Sequence, residues 1–264
     1  MIAALNIITQ ATNNITILKS SFFTTPLRVA NITENKQAHA LRLMLVSSSP
    51  GILDRDEYRI NVTLGEGSAV ELCTQSYQRI FTMKHQASQR MEVHMAPNSF
   101  LSYLPHPTVP HTDAVFKSVN RVYVGENCGL VFGEIITCGR KLNGEIFQFK
   151  KYHSLTEIYL LGKLVIKENL LVAPGEIDLQ AIGQMEGYTH QATLIYLHPE
   201  AAVQLISTTL VNFLETQAGI QFGVTLAPVN GIIIRLLGQK AEQLYYCLNC
   251  LAQLLPQNSL IKHI

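Results

Sequence analysis

One carboxylate inside an apolar strand carries the most chemistry to account for in this chain. Glu134 stands in Leu130-Val-Phe-Gly-Glu-Ile-Ile-Thr137, where a charge is costly unless it is paired or faces water. A strand period of two places it on the face of Phe132 and Ile136, opposite Val131, Gly133 and Ile135. Two uses fit that position. One is an ion pair that fixes a turn, most simply with Arg140. The other is a polar group set in an internal passage or on a partner surface.

Other polar residues invite the same question. Asp56, Arg140 and Glu145 each sit in or follow a tight turn. An aspartate there commonly accepts backbone hydrogen bonds, and an arginine offers a fork of donors to a carboxylate or to carbonyls. Pro105-His-Pro-Thr-Val-Pro-His-Thr-Asp113 gathers His106, His111 and Asp113 within a short run. Prolines can hold such a loop in a shape that converges on a metal, yet a plain structural loop needs nothing more. Cys247 and Cys250 form a C-x-x-C on a stretch that reads as helix. That spacing can bind zinc or run redox chemistry, but no second cysteine pair exists and an apolar helix buries cysteines readily, so core packing is the expectation. No nucleophile elbow, phosphate-binding loop or dinucleotide fingerprint is present. Nothing in the sequence looks catalytic.

Composition narrows the classes further. The chain has 264 residues, of which 47% are apolar and only 15% charged, against the ~25% charged usual in soluble domains. So few charges predict that part of the surface is hidden against partners. The formal net charge is +1, without a lysine-arginine cluster, which disfavours nucleic acid because phosphate contacts need concentrated positive charge. No run reaches the ~18 apolar residues of a membrane span, and Met1-Ile-Ala-Ala-Leu-Asn lacks the basic start of a signal peptide. A cytoplasmic location is the expectation. Five cysteines, an odd number, suit reduced thiols.

The elements that must position these residues are mostly strands. From 22 to 197 the dominant pattern is two-residue alternation broken by glycine, proline and asparagine. Three stretches align without gaps: those starting at Val62, Val93 and Val122. Val62/Leu64, Val93/Met95 and Val122/Val124 precede a short turn, and Val70/Leu72, Leu101/Tyr103 and Leu130/Phe132 follow it. Gly67, Asn98 and Asn127 share one turn position, suited to a positive φ. Units of about 30 residues that cannot bury their own apolar face must stack. Towards the C-terminus the pattern changes: helices are expected over 199–217 and 239–255, flanking paired strands at 220–227 and 231–237. In the first helix Ala202, Leu205, Ile206, Thr209, Leu210 and Phe213 are the expected inner stripe. The expected fold is therefore mainly β: a layered, elongated, β-helix-like stack of antiparallel β-hairpin units with two C-terminal α-helices. A single domain over 1–264 is expected, with a β-rich part to 197 and a helix–strand–strand–helix part packed on it.

The segment Glu134-Ile-Ile-Thr-Cys-Gly-Arg-Lys-Leu-Asn-Gly-Glu-Ile-Phe-Gln-Phe149 resembles the E-x-(x)-x-(A/C)-G-R-x-x-x-G-E-x-F-x-F signature of the UreD (UreH) family of urease accessory proteins. The resemblance extends to Ser49-Pro-Gly-Ile-Leu-Asp-Arg-Asp56, Thr74-Gln-Ser-Tyr77, Tyr103-Leu-Pro-His-Pro107 and Gly231-Ile-Ile-Ile-Arg-Leu-Leu-Gly238. No single motif suffices, but their order and spacing along one chain are specific. The match marks Gly51, Asp56, Tyr77, Tyr103, Pro105, Glu134, Gly139, Arg140, Gly144 and Glu145 as motif positions. The chain departs from the family's P-G-G-x-x-x-G-D loop at Ile52 and Arg55, where glycines are usual, which stiffens it.

That resemblance implies a scaffold rather than an enzyme. It implies docking to UreF, recruitment of the GTPase UreG through UreF, contact with the urease structural subunits, and a hetero-oligomer such as a dimer of UreD–UreF pairs. It implies no tightly bound cofactor, with nickel in transit through an internal passage, for which Glu134 and Asp56 are the candidate lining groups. Two other readings stand beside it. One is a generic β-repeat module binding protein or carbohydrate, which exposed aromatic rows would support. The other is a metal-dependent hydrolase built on His106, His111 and Asp113.

Overall fold

A computed structural model describes residues 1–256. The chain opens with β1 (Ile2–Thr12) and β2 (Ile15–Phe23), a true hairpin, then β3 (Leu27–Asn31) and β4 (Ala40–Ser47). Next come β5 (Glu57–Leu64), β6 (Ala69–Thr74), the short β7 (Gln78–Ile80), β8 (Ala87–Met95), β9 (Phe100–Leu104) and the short β10 (Thr108–Pro110). β11 (Val115–Val124), β12 (Gly129–Thr137), and the hairpin of β13 (Lys151–Leu160) with β14 (Lys163–Val172) follow. The chain continues through β15 (His190–Leu197), α1 (Val203–Glu215), β16 (Gln221–Leu226), β17 (Gly231–Gly238) and α2 (Ala241–Leu254).

Two sheets face each other. The first has the order β14-β13-β11-β8-β5-β1-β2, and the second β16-β17-β15-β12-β9-β6-β4-β3. The two strands of each repeat unit lie in different sheets: β5, β8 and β11 in the first, β6, β9 and β12 in the second. Within a sheet these neighbours run parallel. The mainly β, stacked, β-helix-like architecture with two C-terminal helices is as expected, but the repeat units are arches rather than antiparallel hairpins. The reason is burial. A hairpin leaves one face of each unit to be covered, whereas an arch turns Val62 and Leu64 toward Val70 and Leu72 across the gap, and all four are buried in one core. Alternation followed by a turn is the same sequence pattern in both cases.

The ungapped alignment is the structural register. Val62 pairs with Val93 and Val93 with Val122, while Leu72 pairs with Tyr103 and Tyr103 with Phe132. Gly67, Asn98 and Asn127 all have positive φ, at 66°, 59° and 53°. Their turns are stitched together: Gly67 N–H donates to the Pro97 carbonyl at 3.0 Å and Asn98 N–H to that of Glu126 at 2.9 Å.

The helices form a third layer on the outer face of the second sheet. Phe100, Leu104, Val131 and Ile135 point outward into an apolar cluster with Leu244, Cys247, Leu248 and Leu251 of α2. Helix α1 buries Val203, Ile206, Leu210 and Leu214. Ala202, Leu205 and Thr209 are exposed, Leu205 at 71%, a correction to the expected stripe: each is one residue, ~100° of helix rotation, before a buried one, and the buried face follows the i, i+4, i+8 row of Ile206, Leu210 and Leu214 instead.

Asn98 is exposed at its turn, so only its backbone conformation is at stake. Asn98→Val should lower stability in urea unfolding by about 1–2 kcal/mol, the cost of a left-handed β-branched residue. Asn98→Gly should be close to neutral. Equal effects of the two would contradict the turn geometry.

Candidate functional site

The gap between the two sheets is not packed solid. It contains a cavity of about 130 Å3, far more than the ~10–15 Å3 that one water requires. Its mouth lies between the loops 47–51 and 75–79, where Ser47, Pro50, Gln75 and Ser76 are lining residues exposed to solvent. Deeper in, Glu134 lines it from β12, opposite Tyr152 of β13.

Glu134 points inward, as its alternation predicts, between Phe132 and Ile136 of the inner core. Its carboxylate makes no ion pair among the described residues. Tyr152 Oη–H donates to Oε1 at 2.6 Å, and Tyr152 is itself buried. Burial raises the Glu134 carboxyl above the ordinary glutamate range, while the Ser154 and Tyr152 hydroxyls pull it back. Of those two, Tyr152 makes the hydrogen bond of good geometry, and Ser154 Oγ has no partner. Burial and then the Glu134 charge push the Tyr152 and Tyr103 phenols upward, so both hydroxyls stay protonated as donors.

The opposite wall is a polar column that the fold aligns. Tyr58, Gln89, Ser118 and Ser154 are in register across β5, β8, β11 and β13, and Asn120 stands beside Thr156 one step further along. Asn120 Nδ2–H donates to Thr156 Oγ1 at 3.0 Å, and Gln78 Nε2–H to Gln89 Oε1 at 2.8 Å. Sequence reading missed this column and Tyr152. The signal was present: extending the ungapped repeat four residues upstream puts Gln89 and Ser118 at inward positions where an apolar side chain is expected.

The expected Glu134–Arg140 pair does not form. Arg140 Nε–H donates to Glu145 Oε2 at 2.9 Å, with a second bond from its Nη2 to Oε1. The turn closes locally because Gly139, with φ at 116°, and the turn Lys141–Asn143 ending at Gly144 fold residue 145 back onto residue 140. The Arg140 hydrogen bond holds the Glu145 carboxyl below its usual range.

Asp56 is buried but is not among the cavity's lining residues. Its Oδ1 pairs with the Met1 ammonium at 3.1 Å and its Oδ2 accepts from Leu53 N–H at 2.9 Å. Arg55, one of the two departures from the family's loop, has φ at 65°, the conformation that makes glycine usual there. Gly51 lines the cavity mouth, and a Cβ on it would lie 2.5 Å from the Arg79 carbonyl oxygen. Tyr77, Tyr103 and Pro105 are lining residues too. Tyr77 Oη–H donates to Glu242 Oε1 at 3.0 Å, and burial with that carboxylate pushes its phenol to about 12.

His106, His111 and Asp113 do not converge. His106 lines the cavity and contacts Thr74, His111 packs on Phe81 at 4.7 Å, and Asp113 pairs with Lys150 at 3.3 Å. No group of three or more metal-ligating side chains occurs among the described residues. Burial lowers both histidines, keeping them neutral. Cys247 is buried in the helix layer and its thiol is pushed up to about 11, as suits packing. No helix among the described residues is long and apolar enough to cross a membrane.

Because the folded chain holds a proton on Glu134 more tightly than the unfolded chain, this site's contribution to stability declines as pH rises above the ordinary glutamate range. Glu134→Gln should remove that decline. In melts from about pH 5 to pH 8 the variant's melting temperature should gain on that of the wild type with rising pH. Parallel curves would contradict a raised Glu134.

Comparison with known proteins converges on one family. The model for UreD urease accessory protein matches residues 2–263. Relatives named Urease accessory protein UreD include one from Flavobacterium johnsoniae, 46% identical over 93% of this chain and 89% of its own. Another, from Acetivibrio thermocellus, is 35% identical over 91% and 92%, and one from Haemophilus influenzae is 34% identical over 87% and 89%. The chain belongs to the UreD family of urease accessory proteins, acting in urease maturation and not as an enzyme.

Proposed function

We propose that this chain is the scaffold that joins apo-urease to UreF, and through UreF to the GTPase UreG, and that nickel crosses it by way of the cavity at Glu134. One observation carries the reading: a carboxylate without an ion pair among the described residues, facing an internal cavity whose largely apolar lining also carries the neutral polar side chains of Gln89, Ser118 and Asn120. Oxygen donors suit hard and borderline cations. A single carboxylate backed by Tyr152, Asn120 and Gln89 gives a weak site, as transit requires, since a tight cage would retain its cargo. Nickel is here a cargo, and entry displaces the proton that burial favours on Glu134. Cytoplasmic work in a hetero-oligomer, with five unbridged cysteines, completes the proposal. Asp56, taken up by Met1 and Leu53, anchors the loop below the mouth in this reading instead of lining the route.

The carbohydrate-module reading meets a real aromatic row. His94, Tyr123 and Tyr159 stack across β8, β11 and β13, with ring centroids 4.7 and 5.1 Å apart. The rings lie face to face on one another, as in a ladder that braces neighbouring strands. A sugar platform would instead leave a row of ring faces open.

Urease activation in cells co-expressing the structural subunits and the other maturation factors tests the proposal. At limiting nickel, Glu134→Gln should lower activation by about tenfold, equivalent to ~1.4 kcal/mol, and excess nickel should restore much of it. Tyr152→Phe should give a smaller loss. Full activation of both variants at limiting nickel would sink the reading.

A further inference from the structure

The second sheet is interrupted beside Glu134. β9 and β12 pair from Phe100–Gly129 to Tyr103–Phe132, and β10 rejoins β12 only at Thr108–Ile136. Residues 133–135 are therefore paired on one side alone, with β15. Pro105 and His106 cross in front of the gap, and both line the cavity together with Gly133 and Glu134. A wall with a missing stretch of ladder is a window.

Helix α2 lies over that window from outside. Leu248 is close to Gly133: a Cβ on Gly133 would sit 3.3 Å from Leu248 Cδ1 and 2.7 Å from Leu104 Cδ2. The Tyr245 ring stacks on the His106 ring with centroids 4.5 Å apart and planes at 23°. Glu242, one turn earlier, accepts the hydrogen bond from Tyr77. His106 is thus shared, one side on the cavity and the other on the helix.

Helix α2 is anchored along its length by one apolar face, with Ala241, Leu244, Cys247, Leu248, Leu251 and Ala252 all buried. Its contacts with the cavity rim are the Tyr77–Glu242 hydrogen bond and the Tyr245–His106 ring stack, both made by side chains of its first half.

We propose that the gap between β9 and β12 is a second opening of the cavity, closed by the His106–Tyr245 pair under the first half of α2. This rests on the passage reading for its purpose: a divalent cation held at Glu134 leaves past His106, whose neutral imidazole is the next ligand on the way. With the mouth at loops 47–51 and 75–79, the cavity then has an entrance and a covered exit.

The opening can be tested without nickel. In the full-length chain carrying Glu134→Cys, the rate at which the introduced thiol is labelled by the small cation methanethiosulfonate ethylammonium is followed by peptide mass spectrometry. Adding Tyr245→Ala should raise that rate by about tenfold, since thiol reactivity tracks access, while Tyr245→Phe should leave it unchanged. Equal rates in the Ala and Phe variants would overturn the proposal. Cys128 and Cys138, both buried, report folding by staying unlabelled. If Tyr245→Ala exposes them, Glu242→Ala, on the cover and outside the cavity lining, takes its place, and an unchanged rate at the introduced thiol there would overturn the proposal equally. A raised rate in a chain whose Glu134→Gln variant activates urease normally would keep the opening and sink the transport role, so the two failures are distinguishable.

Discussion

A carboxylate stands between two β-sheets with a phenol as its hydrogen-bond partner and no cation paired to it among the described residues. That pairing of Glu134 with Tyr152, at 2.6 Å, sets what the rest of the structure must do. A lone charge in a packed core would be protonated or expelled. Here the stack of arches leaves a cavity beside it and aligns Gln89, Ser118 and Asn120 on the opposite wall. The parallel register makes this alignment repeatable: an inward position in one arch lies directly over the same position in the next. Polar residues at successive inward positions therefore form a column, where isolated substitutions would each be a buried defect.

The remaining polar motifs serve that frame. Arg140 and Glu145 close the turn after β12 and relieve Glu134 of any partner there. Asp56 fixes the loop under the cavity mouth by holding Leu53 N–H and the Met1 ammonium. The stacked row of His94, Tyr123 and Tyr159 braces the outer face of the first sheet. Two helices seal the outer face of the second, and α2 does so over the break in the ladder between β9 and β12. Stability and route are thereby separated: the apolar clusters carry the fold, and a thin polar seam through the middle carries the function proposed for it.

Much of this was legible in the sequence. Alternation placed Glu134 on the inner face, and the repeat through Val62, Val93 and Val122 gave the stacking register and its three positive-φ turns. Pairing partners were not legible. Arch and hairpin share one local pattern, and the choice is made by burial between elements that one strand's residues do not encode. The Glu134–Arg140 pair failed for a related reason: proximity in sequence favoured it, but a left-handed glycine turned Arg140 onto Glu145 instead. Tyr152, which actually meets Glu134, is on the facing sheet, and only a three-dimensional register brings the two together. Leu205 shows the finer limit, since an amphipathic stripe fixes a helix to within about one residue of rotation.

The central claim is that burial holds a proton on Glu134 above the ordinary glutamate range and that, in the function proposed, Glu134 yields it to a passing divalent cation. Infrared difference spectroscopy of the folded chain over a pH series, with Glu134→Gln as the reference, reads this directly through the carbonyl stretch of the protonated acid. The account predicts that the Glu134 band persists above the ordinary glutamate range and disappears at lower pH when nickel is present. A band lost within the ordinary range, unmoved by nickel, would contradict it.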